Sequence, residues 1–344
     1  MDQQIESILD ALNVAVFIVN VDQAIVYRNS ASIRLFGAGF HTKKLAHFVP
    51  NTRCIRAVED VLDGKSRQSV EVCLQLVVPT SFRMTAVPLD ANGDGSDVSA
   101  VVSFEDVSHI LEAEQMRTDF VANVSHELRS PLTALYGFIE TLQGPARSDE
   151  RASSRFLQLM EKEAARMARL IDDLLSLSKV QSSERFAPTD KVSLNPIIER
   201  LSASLEPILE KEQTIVETAL AADLPDVFGN VDELTQVFSN LIENAAKYSS
   251  PGTTISVSSG IDEKEPDMLR ITVVDQGEGI EPEHIARLTE RFYRIDKGRS
   301  RDKGGTGLGL AIVKHILMRH RGRLQIDSIQ GQGSTFSVVL PISL

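Results

Sequence analysis

Tryptophan is absent from this 344-residue chain, and cysteine occurs only twice, as Cys54 and Cys73. Two cysteines do not make a disulfide framework, so reduced thiols and a cytosolic setting are expected. Net positive charge is lacking too: the formal charge is -12. That speaks against nucleic acid as a partner, because phosphate backbones are met by clustered Lys and Arg. A nucleotide or a protein partner needs only local positive charge and stays open. Long apolar runs are also missing. The longest near the start, Val14 to Val19, is far too short to span a bilayer, and residues 1–10 carry no basic stretch of a signal peptide. The chain is expected to be cytoplasmic, with no transmembrane segment. What is present is ordinary globular protein, 42% hydrophobic and 24% charged, with length for two or three domains.

Three breaks organise the chain. Gly144-Pro145 separates two helical patterns, the polar run Gln181 to Asp190 ends the second, and Ala91 to Asp97 is a turn between two β-rich runs. Before about residue 108 the pattern is mixed. Residues 14–20 and 24–30 flank a Val21-Asp22-Gln23 turn and predict a hairpin, a short helix follows, and residues 70–77, 82–89 and 98–107 are β-rich. This layout resembles a PAS sensor domain. His41, His47 and Cys54 lie in it as single residues, and each reads as an ordinary residue before a haem ligand or a flavin-reactive thiol.

From about Ser108 apolar residues recur every three or four positions: Phe120, Val124, Leu128, Leu132, Leu135, Ile139 and Leu142, then Phe156, Met160, Met167, Leu170, Leu174 and Leu177. Two such helices joined by a short loop form an antiparallel hairpin. A hairpin alone has too little core, so pairing into a four-helix bundle, hence a homodimer, is expected. The last 155 residues or so read differently. Helical patterns at 194–211, 232–248 and 308–319 alternate with β-rich runs at 255–261, 269–277, 323–329 and 334–341. This predicts a sheet covered by a helical layer.

The chemistry concentrates in a few places. His126 lies beside the apolar seam of the first helix, within FVANVSHELRSPLTAL. A neutral imidazole nitrogen can attack phosphorus. Glu127 follows directly, and its carboxylate can orient the ring and take its proton. Pro131 removes a backbone donor one turn on and bends the helix. A solitary histidine on a helix is ordinarily a surface residue; here the surrounding motif changes that reading. In NLIENAAKYS, residues Asn240, Asn244 and Lys247 share one helix face. Their amide oxygens suit Mg²⁺ and their ammonium suits phosphate. DQGEGI brings Asp275, whose carboxylate can accept from the exocyclic amine of adenine, together with Gly277, Gly279 and Ile280. GGTGLGLAIVKH begins with Gly304, and its Gly305, Thr306, Gly307, Leu308 and Gly309 lead into a helix whose N-terminus can cradle phosphate. It is neither a P-loop nor a Rossmann fingerprint. Between these lies RFYRIDKGRSRDK, with Phe292, Tyr293 and Arg294 followed by a basic stretch up to Lys303.

These segments, once each and in this order, resemble the H-box, N-box, D-x-G-x-G, F-box and G-x-G-x-G motifs of sensor histidine kinases over residues 110–344. FIETLQG, KHILMRHRGRL and GQGSTF look nearest to the phosphate-regulon sensor kinases of that family. The resemblance implies a multidomain α+β protein. A PAS-like domain would span 1–108, a dimeric phosphotransfer hairpin 109–185, and a Bergerat (GHKL-type) α/β sandwich ATPase domain 189–344. It implies ATP and Mg²⁺ as cofactors, His126 as phospho-acceptor, Asn244 on the metal, and Tyr248 and Thr335 among the nucleotide contacts. The partner it implies is a response regulator, with a membrane-bound signalling protein as a further possibility. Ser130 stands where the family often has Thr or Asn for dephosphorylating that regulator. Two other classes remain open on the residues alone. One is a gyrase-like or chaperone-like ATPase, which has no use for His126 on a hairpin. The other is a pseudokinase scaffold, against which the intact motifs argue.

Overall fold

The computed structural model describes residues 3–37, 44–76, 78–90, 98–144, 147, 149–183, 186–295 and 305–343. The turn expected at Ala91 to Asp97, His41, Pro145, Gly304 and the basic stretch up to Lys303 lie outside them. The chain forms two compact units, Met1–Ala122 and Asn123–Leu344.

The first unit contains α1 (Gln3–Asp10), β1 (Ala15–Val19), β2 (Ile25–Arg28), α2 (Ser30–Phe36), α3 (Thr52–Leu62), β3 (Gln68–Gln75), β4 (Pro79–Asp90) and β5 (Val98–Asp106). The strands form one antiparallel sheet in the order β2-β1-β5-β4-β3. Alternation sets its inner face, because side chains two apart on a strand point the same way. Val72 and Leu74, then Phe82, Met84 and Ala86, then Ala100, Val102 and Phe104 are buried together with Val58 and Val61 of α3. Phe17 packs against Phe36 and Phe104 at ring-centroid distances of 5.5 and 6.0 Å. Buried Asn29 joins the entry segments. Its Nδ2 donates to the carbonyls of Leu9 and Val14, and its Oδ1 accepts from the N–H of Val16 and Ser32. All four bonds satisfy groups whose burial unpaired would be costly. Cys54 is fully buried, and burial pushes its thiol up to about 11. It is therefore a core residue rather than a nucleophile. His47 is exposed.

The helix α4 (Ser108–Gln143) starts in this unit. Its first turn is tied back to the sheet: Val107 N donates to Ser81 O, and Ser81 N donates to Ser108 Oγ at 3.0 Å.

In the second unit α4 and α5 (Glu150–Ser183) make the hairpin. Asp149 Oδ1 accepts from the N–H of Arg151 and Ala152 and so starts α5. α4 runs through Pro131 without ending. Leu170, Leu177 and Val180 are buried, while Leu132, Tyr136, Leu157 and Leu175 are exposed.

The rest of the unit is a two-layer module. Its elements are β6 (Lys191–Val192), α6 (Asn195–Ser204), α7 (Glu206–Lys211), β7 (Ile215–Leu220), β8 (Val227–Phe228), α8 (Val231–Tyr248), β9 (Thr254–Ile261), β10 (Met268–Val274), α9 (Pro282–Ile285), α10 (Gly309–Arg319), β11 (Arg323–Ile329) and β12 (Gly333–Pro341). The sheet order is β11-β12-β10-β9-β7, antiparallel except for the parallel pair β7-β9. Leu234, Val237, Phe238, Leu241 and Ile242 of α8, with Ala311, Ile312, Val313 and Ile316 of α10, bury their apolar stripes against it. The single helix expected over 194–211 is two helices. Pro207 lacks the N–H a continuous helix would use, and the chain restarts from Leu205. The strand β7 was not expected: it is an edge strand whose residues are mostly exposed, so no inward alternation marks it.

Candidate functional site

The hairpin supplies the first set of groups. His126 and Ser130 lie four residues apart on α4 and are both exposed, so they share one water-facing side. Glu127 faces the other way. Its Oε2 accepts from Arg166 Nη2 of α5 at 2.8 Å, and both side chains are largely covered. The expectation that Glu127 would hydrogen-bond the ring of His126 is thus not met in this conformation. Neighbouring residues on a helix do not face each other, and Arg166 takes the carboxylate.

The second set gathers around Asp275, just beyond β10. Its side chain is 4% exposed. Oδ1 accepts from the N–H of Gly277 at 2.9 Å and of Ser334 at 3.1 Å, and its own N–H donates to Ser334 O. Burial raises its pKa, and those two N–H groups oppose the rise. Gly277 makes the approach possible, since a Cβ there would lie 2.3 Å from Tyr248 O. The bridge between Ser249 and Gly277 thereby carries the end of α8 against this loop. Tyr248 itself is 45% exposed at the rim. Ile280 N donates to Ser328 Oγ, and Thr335 sits on β12 opposite Val274. The buried Asp275 carboxylate is thus held by backbone N–H groups from the loop after β10 and from β12, beside the end of α8.

α8 and α10 form the adjoining wall. Asn240, Asn244 and Lys247 are half-buried on α8. Asn240 Oδ1 lies against Gly309, 3.1 Å from where a Cβ would stand. Lys247 Nζ donates to Glu243 Oε2 at 3.2 Å. Phe292 takes φ of 61°, a conformation a bulky residue adopts only where its surroundings impose it, and its N–H donates to Gly307 O at 2.8 Å. The neighbouring Tyr293 OH lies 2.7 Å from His284 Nδ1, with Arg287 stacked 4.2 Å over its ring. Arg294 is half-buried, and Leu308, just before α10, is fully buried. The segments around Asn240, Asp275, Phe292 and Gly307 are therefore joined into one region. The amide oxygens of Asn240 and Asn244 are hard donors suited to Mg²⁺ that is partly held by phosphate and water.

Three residues missed in the sequence belong here. Ser334, within GQGSTF, holds Asp275 from the opposite strand. Gly333 lets the chain pass Asp275 O, where a Cβ would come within 2.1 Å. Asp173 of α5 accepts from Thr306 Oγ1 at 2.6 Å.

Comparison with known proteins agrees with this geometry. Residues 229–344 match the family described as histidine kinase-, DNA gyrase B- and HSP90-like ATPase. Residues 116–183 match the His Kinase A (phospho-acceptor) domain, and residues 3–68 match a PAS domain. With these three domains in this order the chain belongs to the sensor histidine kinases. It is 41% identical over 234 residues to the phosphate regulon sensor protein PhoR of Pseudomonas aeruginosa, covering 67% of this chain and 52% of PhoR. It is 38% identical over 240 residues to the sensor histidine kinase WalK of Bacillus subtilis, covering 69% of this chain and 38% of WalK. The chain thus spans about half the length of these curated relatives, or less. Among solved structures, the histidine kinase AdeS of Acinetobacter baumannii aligns with a TM-score of 0.50 at 26% identity, covering 64% of this chain and 98% of AdeS. The histidine kinase ThkA, solved in complex with the response regulator protein TrrA, aligns over 98% of both chains with a TM-score of 0.53 and 20% identity, a likeness of fold. The ATPase-family module implies ATP binding. Among the described residues no helix is long and apolar enough to cross a membrane.

Proposed function

We propose that this chain autophosphorylates His126 from Mg-ATP and passes the phosphoryl group to an aspartate of a response regulator. One observation carries the reading. An exposed histidine on a hairpin helix and a buried carboxylate fixed by two backbone N–H groups belong to one compact unit.

In this reading Asp275 accepts from the adenine amine, Tyr248 lies against the base or ribose, and Gly277, Gly279 and Ile280 let the backbone approach the nucleotide. Gly305, Thr306, Gly307, Leu308 and Gly309 present backbone N–H groups at the start of α10. Asn240 and Asn244 offer amide oxygens, with Asn244 on Mg²⁺, and Lys247 neutralises phosphate charge. Phe292, Tyr293, Arg294 and Thr335 complete the contacts. ATP supplies the γ-phosphoryl group. The imidazole nitrogen of His126 attacks its phosphorus as the bond to the β-phosphate oxygen breaks. This chemistry needs mostly positioning and charge neutralisation. Glu127 can serve as base only if it leaves Arg166; otherwise it steadies the hairpin beside His126. Ser130 carries a hydroxyl able to orient water on a phosphorylated regulator.

The exposed apolar side chains Leu132, Tyr136, Ile139, Ile171 and Leu175 support a homodimer formed through the hairpins, with docking of the regulator on the resulting bundle. We take residues 1–108 as the input domain, 109–185 as the phosphotransfer hairpin and 189–344 as the catalytic domain. Input changes the pose of α4 and so biases the hairpin between two packings. The acidic, cysteine-poor composition suits the cytoplasm, and a membrane-bound partner is one route for the signal.

The test is incorporation of γ-labelled phosphate from Mg-ATP by wild type, His126→Ala and Asn244→Ala. Acid-labile, base-stable label on wild type and on neither variant is the expected result. ATP-binding wild type that takes up no label would sink the kinase reading.

A further inference from the structure

Thr306 lies in the loop expected to cradle phosphate, where its hydroxyl could donate to a phosphate oxygen, yet that hydroxyl is already committed. Oγ1 donates to Asp173 Oδ2 at 2.6 Å and accepts from Leu308 N at 3.3 Å. A threonine hydroxyl has one proton to give, so a phosphate oxygen and Asp173 cannot both receive it. Asp173 is on the hairpin helix α5, seven residues beyond Arg166, the residue level with Glu127. At 1.5 Å per residue that is about 10 Å along the helix from the height of His126. The same face of α5 makes other polar contacts with the ATPase module. Ser176 Oγ donates to Gln236 Oε1 at 2.8 Å, and Gln181 Nε2 lies 3.2 Å from His315 Nε2. Lys247, the cation expected to meet phosphate, attracts the Asp173 carboxylate and hydrogen-bonds Glu243.

The geometry points to Asp173 as a gate on the phosphate loop: it competes with nucleotide phosphate for the Thr306 hydroxyl and holds the ATPase module parked on α5. This rests on the nucleotide-binding reading above. Docking on α5 and engagement of phosphate then exclude each other at one atom. By linkage, removing the gate tightens nucleotide and nucleotide loosens the parked contact. Burial raises the pKa of Asp173, and the Thr306 hydroxyl and Lys247 oppose the rise.

Calorimetric titration of the full chain with a non-hydrolysable Mg-ATP analogue tests this without turnover. Asp173→Ala should bind the analogue about tenfold more tightly than wild type, the scale set by one hydrogen bond to a charged acceptor. Asp173→Asn, which keeps an acceptor oxygen, should fall between. A residue that merely supported the fold would weaken binding when removed. Hydrogen exchange on wild type gives a readout independent of any variant. Saturating analogue should speed exchange in α5 around residues 170–180. Unchanged or weaker binding by Asp173→Ala, or protection of α5 that holds or rises with the analogue, overturns the gate. Wild type that binds the analogue but never labels His126 would remove the kinase reading and leave the gate standing. Wild type that binds no nucleotide removes both.

Discussion

Arg166 of α5 donates to Glu127 of α4 at 2.8 Å, one residue past His126, with little of either side chain open to water. The pair fixes the register of the two helices at the height of the reactive ring. Arg166 also approaches Glu163, so it neutralises two carboxylates.

Replacing Arg166 by Met keeps its apolar reach and removes its charge. Glu127 then stays half-buried without its partner, which costs about 1–3 kcal/mol. A lower denaturation midpoint of that size in Arg166→Met is expected, together with slower labelling of His126. An unchanged midpoint would mean the ion pair is too wet to matter.

Asp275→Asn is nearly isosteric, but its amide cannot serve both neighbours. If its oxygen keeps the N–H groups of Gly277 and Ser334, its NH₂ faces the adenine amine, donor against donor. Loss of about 1.5–3 kcal/mol, or roughly ten- to hundredfold weaker binding of an ATP analogue, is expected by calorimetry, with little change in melting. Binding within twofold of wild type would remove Asp275 from adenine recognition.

What was legible in the sequence follows from where the information sits. The α8 and α10 patterns could be read because one face of each helix is buried, and those of α4 and α5 because their apolar residues recur at helical spacing even where, as at Leu132 and Ile139, they stay exposed. Motifs around His126, Asn244 and Asp275 are local, so each is visible within a short window. β7 escaped because an edge strand buries little, and the split after Leu205 escaped because Pro207 falls in an otherwise periodic run. Asp173 could not have been singled out, since its partner Thr306 is 133 residues away and nothing near it on α5 marks it. The engagement of Glu127 by Arg166 escaped for a similar reason, although the one-residue offset from His126 argued against a direct contact.

Gly333 and Gly331 make a matched pair. Both have positive φ, at 108° and 81°, but only at Gly333 does a Cβ meet backbone, 2.1 Å from Asp275 O; at Gly331 nothing lies within 4 Å. Gly331→Ala should cost about 1 kcal/mol of strain, whereas Gly333→Ala should cost about 3 kcal/mol or more and weaken nucleotide binding by shifting Asp275. Equal melting losses in the two variants would show that the close approach carries no weight.

His320 follows α10 and is buried, with Nδ1 at 2.8 Å from Ile316 O and Nε2 accepting from Asn230 N at 3.0 Å. This pairing needs the neutral ring with its proton on Nδ1, because Nε2 must stay an acceptor. Burial lowers its pKa below the ordinary 6.5 and Arg319 adds to that, while the Ile316 carbonyl and Glu233 oppose it. The native state therefore takes up a proton less readily than the unfolded chain. Below pH 6.5 the unfolded chain binds that proton first, so this group's stabilisation is full above 6.5 and is lost as pH falls towards the depressed native value. By pH 5.5 the loss is at most about 1.4 kcal/mol. Asp173 and Asp275, whose pKa values are raised, act in the opposite sense, and the wild-type curve alone mixes the three. The difference between wild type and His320→Gln isolates the histidine. Denaturation midpoints of the two should converge as pH falls from 7.5 to 5.5, and a constant gap over that range would show that His320 titrates alike in the folded and unfolded states.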